Sequence, residues 1–287
     1  MSVAALEQYG LLQVTGADAR AFLHAQLTND IERLAPDRAR FAGWCSAKGR
    51  LLATLLVVPR PDGFLLQLAR DLAPAVVRRL AMFVLRSRAG ITDATGGWHQ
   101  LGVWGDAPLA ALGLPVPARD LETTAGADAI AVRLEAGRCL VLAAGEAGAR
   151  LRADTPAEEW ILAEIRAGRP HVMQATQDQF VPQMVNLELA GGVDFRKGCY
   201  PGQEVVARAQ YRGAVKRRMV HLRGAALQPG QDLYSDDLAG QASGTVVNAA
   251  LGEALAVMQL SALESGAPIR VRPGGEALER LALPYAE

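Results

Sequence analysis

Apolar positions recur along the chain with two periods, and the places where one gives way to the other mark its elements. Residues 11–14 form a short apolar run that predicts a strand. Thr15-Gly16-Ala17-Asp18 then predicts a helix start, with Thr15 accepting from the Asp18 amide while Asp18 reaches back as a capping box. Leu23, Leu27, Ile31 and Leu34 follow at helical spacing and give one apolar stripe. Residues 51–58 and 64–69 flank the turn-rich stretch 59–63, a pattern that predicts a hairpin. Asp71 opens a long helix whose inner face is Leu72, Val76, Leu80, Phe83 and Val84.

From Gly96 the pattern starts afresh. Residues 101–104 predict a strand, 108–112 a short helix closed by Gly113, and 129–134 with 139–143 a hairpin across Glu135-Ala136-Gly137. Thr155-Pro156-Ala157-Glu158 offers a cap, a proline at the first helical position and an acid at the third. The expected helix turns Trp160, Ile161 and Ile165 inward and ends at Gly168 and Pro170. Beyond Gly213, strand-like runs at 219–222, 231–234, 244–248, 254–260 and 269–272 alternate with Gly, Pro and Asp turns, and no helix of any length is evident. Such spacing predicts a small barrel. The chain therefore reads as α+β: a region over 1–212 with a second lobe at about 96–150, then a C-terminal β-barrel domain over 213–287.

The 287 residues are half hydrophobic, enough for a sizeable core in about two or three compact units. Thirty basic residues balance thirty acidic ones, so no global field draws the chain to nucleic acid or an anionic membrane. Cys45, Cys139 and Cys199 are far apart and odd in number, which excludes a closed disulfide framework and a four-thiolate iron–sulfur site from one chain. Cys139, inside an apolar strand, is expected in the core. His24, His99, His171 and His221 lack metal-ligand spacing, and no bound metal is expected. The first residues have neither the basic start nor the apolar run of a signal peptide, and no segment is apolar for long enough to span a bilayer. A soluble, cytoplasmic protein without a membrane partner is expected.

The chemistry concentrates in Gly191-Gly192-Val193-Asp194-Phe195-Arg196-Lys197-Gly198-Cys199-Tyr200-Pro201-Gly202-Gln203-Glu204-Val205-Val206-Ala207-Arg208. A glycine pair opens it, two cations follow, and Pro201 has its φ preset for the first position of a helix expected over 203–210. Cys199 and Tyr200 would then sit at a helix N-terminus, where free N–H groups favour an anion or a thiolate. Two readings of Cys199 stand side by side: a small buried hydrophobe, or an accessible cysteine partly thiolate near neutral pH and required for function, with Lys197 beside it as a second catalytic candidate. Lys48-Gly49-Arg50 is either a solvated turn or an anion site. Arg208, Arg212, Lys216, Arg217, Arg218, His221 and Arg223 form a basic run, either a solvated surface or a contact for a polyanion. Only Tyr211 is interleaved with it, which gives base readout little support.

Lys-Gly-Cys-Tyr-Pro-Gly-Gln-Glu-Val-Val-Ala-Arg at 197–208 closely resembles the signature of the YgfZ family of folate-binding, iron–sulfur-cluster-related proteins, relatives of the glycine-cleavage aminomethyltransferase (T-protein). The resemblance runs from about Thr15 to Arg218 and includes Thr28-Asn29-Asp30 and the stretch 180–187 with Asn186. It implies an aminomethyltransferase-like fold around a central cavity that Thr28-Asn29-Asp30 faces and that holds tetrahydrofolate, in cells a polyglutamylated form. The family's aromatic folate contacts fall on Tyr9 and Trp160, and Asn186, Tyr200 and Arg208, in the matching stretches, are expected to bind the cofactor as well. Two departures stand out. The adjacent aspartates of T-protein are here Ala53 and Thr54, neither able to act as an anionic base. The glutamate that grips the pterin is Arg166, a donor only, which either meets the glutamyl tail or leaves the pterin held otherwise. The resemblance implies a tetrahydrofolate-binding accessory protein in iron–sulfur cluster assembly or repair, with iron–sulfur client enzymes, tRNA-modifying ones included, as partners. A folate-dependent one-carbon transferase or demethylase and a direct tRNA-binding protein remain as alternatives.

Overall fold

The computed structural model describes residues 2–285 apart from Ala214, Ala225 and Ala239. In chain order, β1 (Ser2–Ala5), β2 (Tyr9–Thr15), α1 (Ala19–Gln26), β3 (Arg40–Cys45), β4 (Leu51–Arg60), β5 (Gly63–Ala69), α2 (Ala73–Ala81) and β6 (Gly90–Asp93) come first. All but β1 of these strands join one five-stranded sheet in the order β3-β4-β5-β2-β6, with antiparallel pairing throughout. The apolar run 51–58 becomes β4, buried along almost its whole length as the inner strand its composition predicts.

The next elements are β7 (Trp98–Trp104), α3 (Ala107–Ala111), β8 (Thr123–Ala125), β9 (Ala129–Glu135), β10 (Arg138–Ala144) and α4 (Gly145–Ala149). Their strands pair as β1-β7-β10-β9-β8, so the chain's first strand closes the edge of its second sheet. Cys139 is buried there among Val3, Val103 and Val141, as its apolar strand predicts. α5 (Ala157–Arg166) and α6 (Gln203–Tyr211) bracket residues 167–202, which hold only two short 3₁₀ turns and no strand.

The last unit contains β11 (Arg217–Arg223), β12 (Asp232–Ser235), β13 (Ala242–Ala250), β14 (Glu253–Gln259), α7 (Leu260–Glu264), β15 (Ile269–Arg270) and β16 (Ala277–Leu281). Its strands close as β11-β14-β13-β12-β15-β16, with β16 returning to β11. The predicted C-terminal barrel is present; β16 and the five-residue α7 add to the five runs read from the pattern.

Local chemistry corrects several element ends. No capping box forms at α1, because the Asp18 carboxylate turns away to accept from the Arg88 backbone N–H at 2.7 Å and to pair with its guanidinium. Leu23, Leu27, Ile31 and Leu34 are all buried, yet α1 stops at Gln26. Leu27 is extended and bridges to Trp44, while Arg20 holds the following loop through the carbonyls of Ile31 and Leu34. A helical stripe thus serves a helix and then a loop. At α2, Leu72, Val76 and Leu80 face inward, but the helix ends at Ala81 and Phe83 is exposed. Pro156, in extended conformation, is the cap residue of α5, one place later than expected, and Thr155 Oγ1 bonds Asp154 instead.

Candidate functional site

Pro201 is not the first residue of α6. Gly202 caps the helix at φ 78°, and Gln203 begins it. A side chain at Gly202 would also strike the Ser46 carbonyl and the Gly49 backbone, so the signature lies directly on the turn that carries Lys48 and Arg50. Cys199 stands ahead of that cap and is exposed, whereas Cys45 and Cys139 are buried. Burial pushes the Cys45 thiol up to about 12 and the Cys139 thiol up to about 11.

The first half of the signature is stitched to the loop after α1. Thr28 Oγ1 donates to the Gly192 carbonyl and accepts from the Gly43 N–H, both at 2.7 Å. Asn29 Nδ2 donates to the carbonyls of Phe41 and Gly191, and the Asp194 N–H donates back to the Thr28 carbonyl. Lys197 reaches the same corner. Its buried ammonium donates to the carbonyls of His24 and Leu27, at the C-terminal end of α1, and lies 4.8 Å from the centre of the Tyr200 ring. Burial pulls its pKa down to about 8, against the opposing charges of Asp30 and Asp194. Lys197 therefore ties the signature to α1, with its charge spent on backbone oxygens.

An open cleft of about 680 Å³ runs between this loop and the signature. Its charged lining is Arg33, Arg38, Arg40 and Arg196 with a single acid, Asp194, and its aromatic wall is Phe195 and Tyr211. Those two rings meet edge to face at 6.1 Å, and Tyr211 is largely exposed. Asp194 is partly engaged, accepting from the Arg196 N–H at 2.7 Å. The cleft thus presents excess positive charge beside flat apolar surface.

Deeper in the molecule are two small cavities, of about 20 and 60 Å³, both lined by Arg169 and His171. Thr54 and Gln67 line the first; Tyr9, Glu164 and Asn248 line the second. Glu164 is buried and accepts from Arg138 at 2.6 Å, Arg169 at 2.9 Å and His171 at 3.2 Å. Burial alone would raise its carboxyl; the two guanidinium charges and the His171 bond overcome that and hold it well below the usual carboxylate range. The Tyr9 ring packs against His171 with centroids 5.0 Å apart, and burial pushes its hydroxyl up.

The expected site residues are not gathered in one place. Tyr9 lines the larger inner cavity. Trp160 lies in the core beside it, edge-on to Trp104 at 5.6 Å, under the Arg138 guanidinium at 4.5 Å and against Gly102, where a side chain would overlap the indole. Arg166 is bound to Glu253. Asn186, in the left-handed conformation, donates to the Met219 carbonyl and so fastens the irregular segment to the barrel. Tyr200 is buried, and Arg208 is exposed on α6. The basic run past it divides: Arg218 pairs with Glu188, His221 with Glu253, and Arg223 with Glu253 and Glu279. Arg33, Arg38, Arg40, Glu164 and His171 were missed. The three arginines follow Thr28-Asn29-Asp30 closely, and Glu164 lies one helical turn past Trp160, so both signals were present. Among the described residues, no group of three or more His, Cys, Asp or Glu is placed to hold a metal, and no helix is long and apolar enough to cross a membrane.

No family model matches the chain. It is 36% identical over 242 residues, 77% of its own length and 70% of the relative's, to the tRNA-modifying protein YgfZ of Edwardsiella ictaluri. The protein of the same name from Sodalis glossinidius is 34% identical over 251 residues, covering 81% and 75% of the two chains. The one from Shigella sonnei is 30% identical over 308 aligned positions, covering 100% and 94%. Among solved structures, the glycine cleavage system aminomethyltransferase T of Bartonella henselae superposes with a TM-score of 0.79 over 100% of this chain and 86% of that one. At 17% identity that likeness shows the shared fold alone.

Proposed function

The chain belongs to the YgfZ family, and from that premise we propose that it binds tetrahydrofolate in a polyglutamylated form. In this reading it is an accessory factor in iron–sulfur cluster assembly or repair, supporting client enzymes that include tRNA-modifying ones. The observation that carries the reading is the arginine-lined cleft between the Thr28-Asn29-Asp30 loop and the signature. A folate has a flat ring system at one end and carboxylates at the other. Four guanidinium groups facing one acid suit the carboxylates, and the Phe195–Tyr211 wall suits a flat ring.

Aminomethyl transfer is no part of the proposal. Ala53 is fully buried and carries no polar atom on its side chain. The Thr54 hydroxyl accepts from the Val172 N–H at 3.0 Å beside the smaller cavity. Neither position supplies the carboxylate that would stabilise a cationic one-carbon unit. A second reading, direct contact with tRNA, draws support from the exposed Tyr211 ring beside the same arginines, a stacking surface next to cations.

Calorimetric titration with tetrahydrofolate monoglutamate and polyglutamate tests the first element. Binding of both, tighter for the longer tail at low salt, is expected; no heat with either removes folate from the reading. For the second element, iron–sulfur enzyme activities are compared in a strain lacking the gene and in the complemented strain. Undiminished activities without the gene would remove the accessory role. Steeply salt-dependent tRNA affinity with no folate binding would favour the second reading.

A further inference from the structure

The turn that leaves α2 carries large apolar side chains outward. Met82, Phe83 and Leu85 are 65%, 43% and 87% exposed, three such residues within four positions. None of them lines the arginine cleft or the inner cavities. The helical pattern expects Phe83 inside, yet α2 ends at Ala81, and Val77, Val84, Ala89 and Ile91 are the residues that pack on the core. Backbone bonds fix the turn: the Phe83 N–H donates to the Leu80 carbonyl, that of Val84 to Ala81, and that of Ser87 to Val84. At its tip Leu85 holds φ 46°, a left-handed backbone that disfavours leucine and suits glycine or asparagine. Its side chain is almost wholly in water, so the fold itself has little use for a leucine there.

Cations accompany the apolar turn. Residues 72–92 contain Arg78, Arg79, Arg86 and Arg88 and no acid, in a chain whose thirty basic and thirty acidic residues balance. Arg78 and Arg79 stand one helical turn before Met82 and Phe83, and Arg86 follows Leu85 directly. All four arginines are exposed. Among the described residues only Arg88 is in an ion pair, with Asp18, while Arg79 is held over the Trp44 ring at 5.7 Å. Five residues past Leu85 begins β6, the outer strand of its sheet. It pairs with β2 along one edge and, among the described residues, with no strand along the other. The far edge of that sheet, at β3, is instead covered by the Leu27–Trp44 bridge and by the Thr28 backbone and hydroxyl. β6 therefore offers an open strand edge next to the apolar turn in sequence.

We propose that residues 82–93 are a docking surface for a segment of another protein in which carboxylates alternate with large apolar side chains. Its apolar groups cover Met82, Phe83 and Leu85, its carboxylates meet Arg78, Arg79 and Arg86, and its backbone pairs with the open edge of β6. Exposed apolar surface rimmed by charge of one sign favours a partner of the opposite sign. An open strand edge is completed by another backbone, which a lipid surface does not offer. A second copy of this chain, docked face to face, would set the same arginines against each other. The acidic protein segment is the occupant that satisfies all three conditions.

The test uses the full chain and fluorescent synthetic peptides, and no folate, so its failure and failure of the folate reading are separate results. One peptide repeats Asp-Phe-Glu-Leu, a second Lys-Phe-Lys-Leu, and two more carry the acidic sequence N-methylated at alternate residues in either register. Fluorescence anisotropy is read at about 0.05 and about 0.5 M salt. The acidic peptide is expected to bind, and more weakly at the higher salt. Arg78→Glu with Arg86→Glu, and Met82→Ser with Phe83→Ser and Leu85→Asn, should each weaken it about tenfold, and the lysine peptide should bind the parent about tenfold more weakly. N-methylation in one register should weaken binding too, and hydrogen exchange should slow across 82–93 in the complex. The substituted side chains are exposed and asparagine suits the backbone at position 85, so both variants should melt as the parent does. No binding of the acidic peptide, equal affinity in parent and both variants, or equal affinity for the lysine peptide overturns the proposal. So does sedimentation of the parent, but not of the apolar variant, with vesicles of phosphatidylcholine and phosphatidylserine, which would assign the turn to an anionic membrane surface.

Discussion

Arg166 grips the Glu253 carboxylate with two hydrogen bonds, Nη2 to Oε1 at 2.8 Å and Nε to Oε2 at 3.1 Å. The pair joins the end of α5 to the first residue of β14, and His221 and Arg223 bond the same carboxylate. A glutamyl tail reaching Arg166 would have to compete with a buried, fully engaged acid.

That geometry makes the two partners unequal. Arg166 is more than half exposed, so Arg166→Ala should cost about 1 kcal/mol or less in a urea melt. Glu253→Ala removes the buried acid and leaves the buried His221 without its carboxylate beside Arg166 and Arg223, and should cost about 3 kcal/mol. Similar losses for both variants would mean that the pair, rather than the buried carboxylate, carries the junction.

The same carboxylate predicts an acid response. Its bonds to Arg166 and His221 hold Glu253 down at about 2, below the ordinary glutamate value of 4.5. A depressed carboxyl stabilises the fold above its unfolded value and loses that contribution as pH falls through the folded one. Stability should therefore drop between pH 4.5 and about 2, and Glu253→Gln should drop less steeply. Parallel acid melts for parent and variant would contradict this.

Lys197 gives the opposite edge of the pH range. Burial lowers its pKa from 10.5 to about 8, so between those values the unfolded chain binds more proton than the folded one. Stability contributed by this group then rises with pH from about 8 to 10.5. Lys197→Met should remove the rise while leaving the pH dependence of stability below pH 7 unchanged. Urea midpoints at pH 7, 9 and 10.5 check it, and an unchanged slope in the variant would place the ammonium outside the buried corner.

Trp160 tests where packing ends and binding begins. Its indole is enclosed by Trp104, Arg138 and Gly102, so Trp160→Ala should cost about 3–5 kcal/mol, and lost folate affinity in that variant would be ambiguous. Trp160→Phe keeps an aromatic body and should lose less. A Phe variant with parent-like stability and no tetrahydrofolate binding would assign the indole to the ligand; unchanged affinity would assign it to the core.

What the chain reveals unaided follows the range of each force. The barrel, the β4–β5 hairpin and α5 are encoded by apolar periods within a few residues, and each appears where the pattern puts it. Element ends depend on distant partners. Asp18 leaves the helix it could cap because Arg88 is there, and α1 stops because Leu27 meets Trp44 and Lys197 takes the final carbonyls. The signature stands out in the sequence by its residue pattern, but its neighbours in space do not. Arg33, Arg38 and Arg40 converge on Arg196 only because Thr28 and Asn29 bind the glycine pair across the fold.

The cleft makes the sharpest prediction for the ligand. Arg38 and Arg196 line it from opposite segments of the chain, and each can meet a carboxylate of a glutamyl tail without disturbing the core. An exposed cation–carboxylate pair is worth about 0.7–1 kcal/mol, so removing either arginine should weaken polyglutamate binding about three- to fivefold. A monoglutamate presents fewer carboxylates and should lose less. Raising salt from about 0.05 to 0.5 M screens the same attraction and should narrow the preference for the longer tail in the parent, but hardly at all in the double variant. Titration of both folate forms into the parent, Arg38→Ala, Arg196→Ala and the double variant measures each of these differences. If the double variant keeps the full polyglutamate preference at low salt, the tail lies elsewhere, and the four arginines become available to a phosphodiester backbone instead.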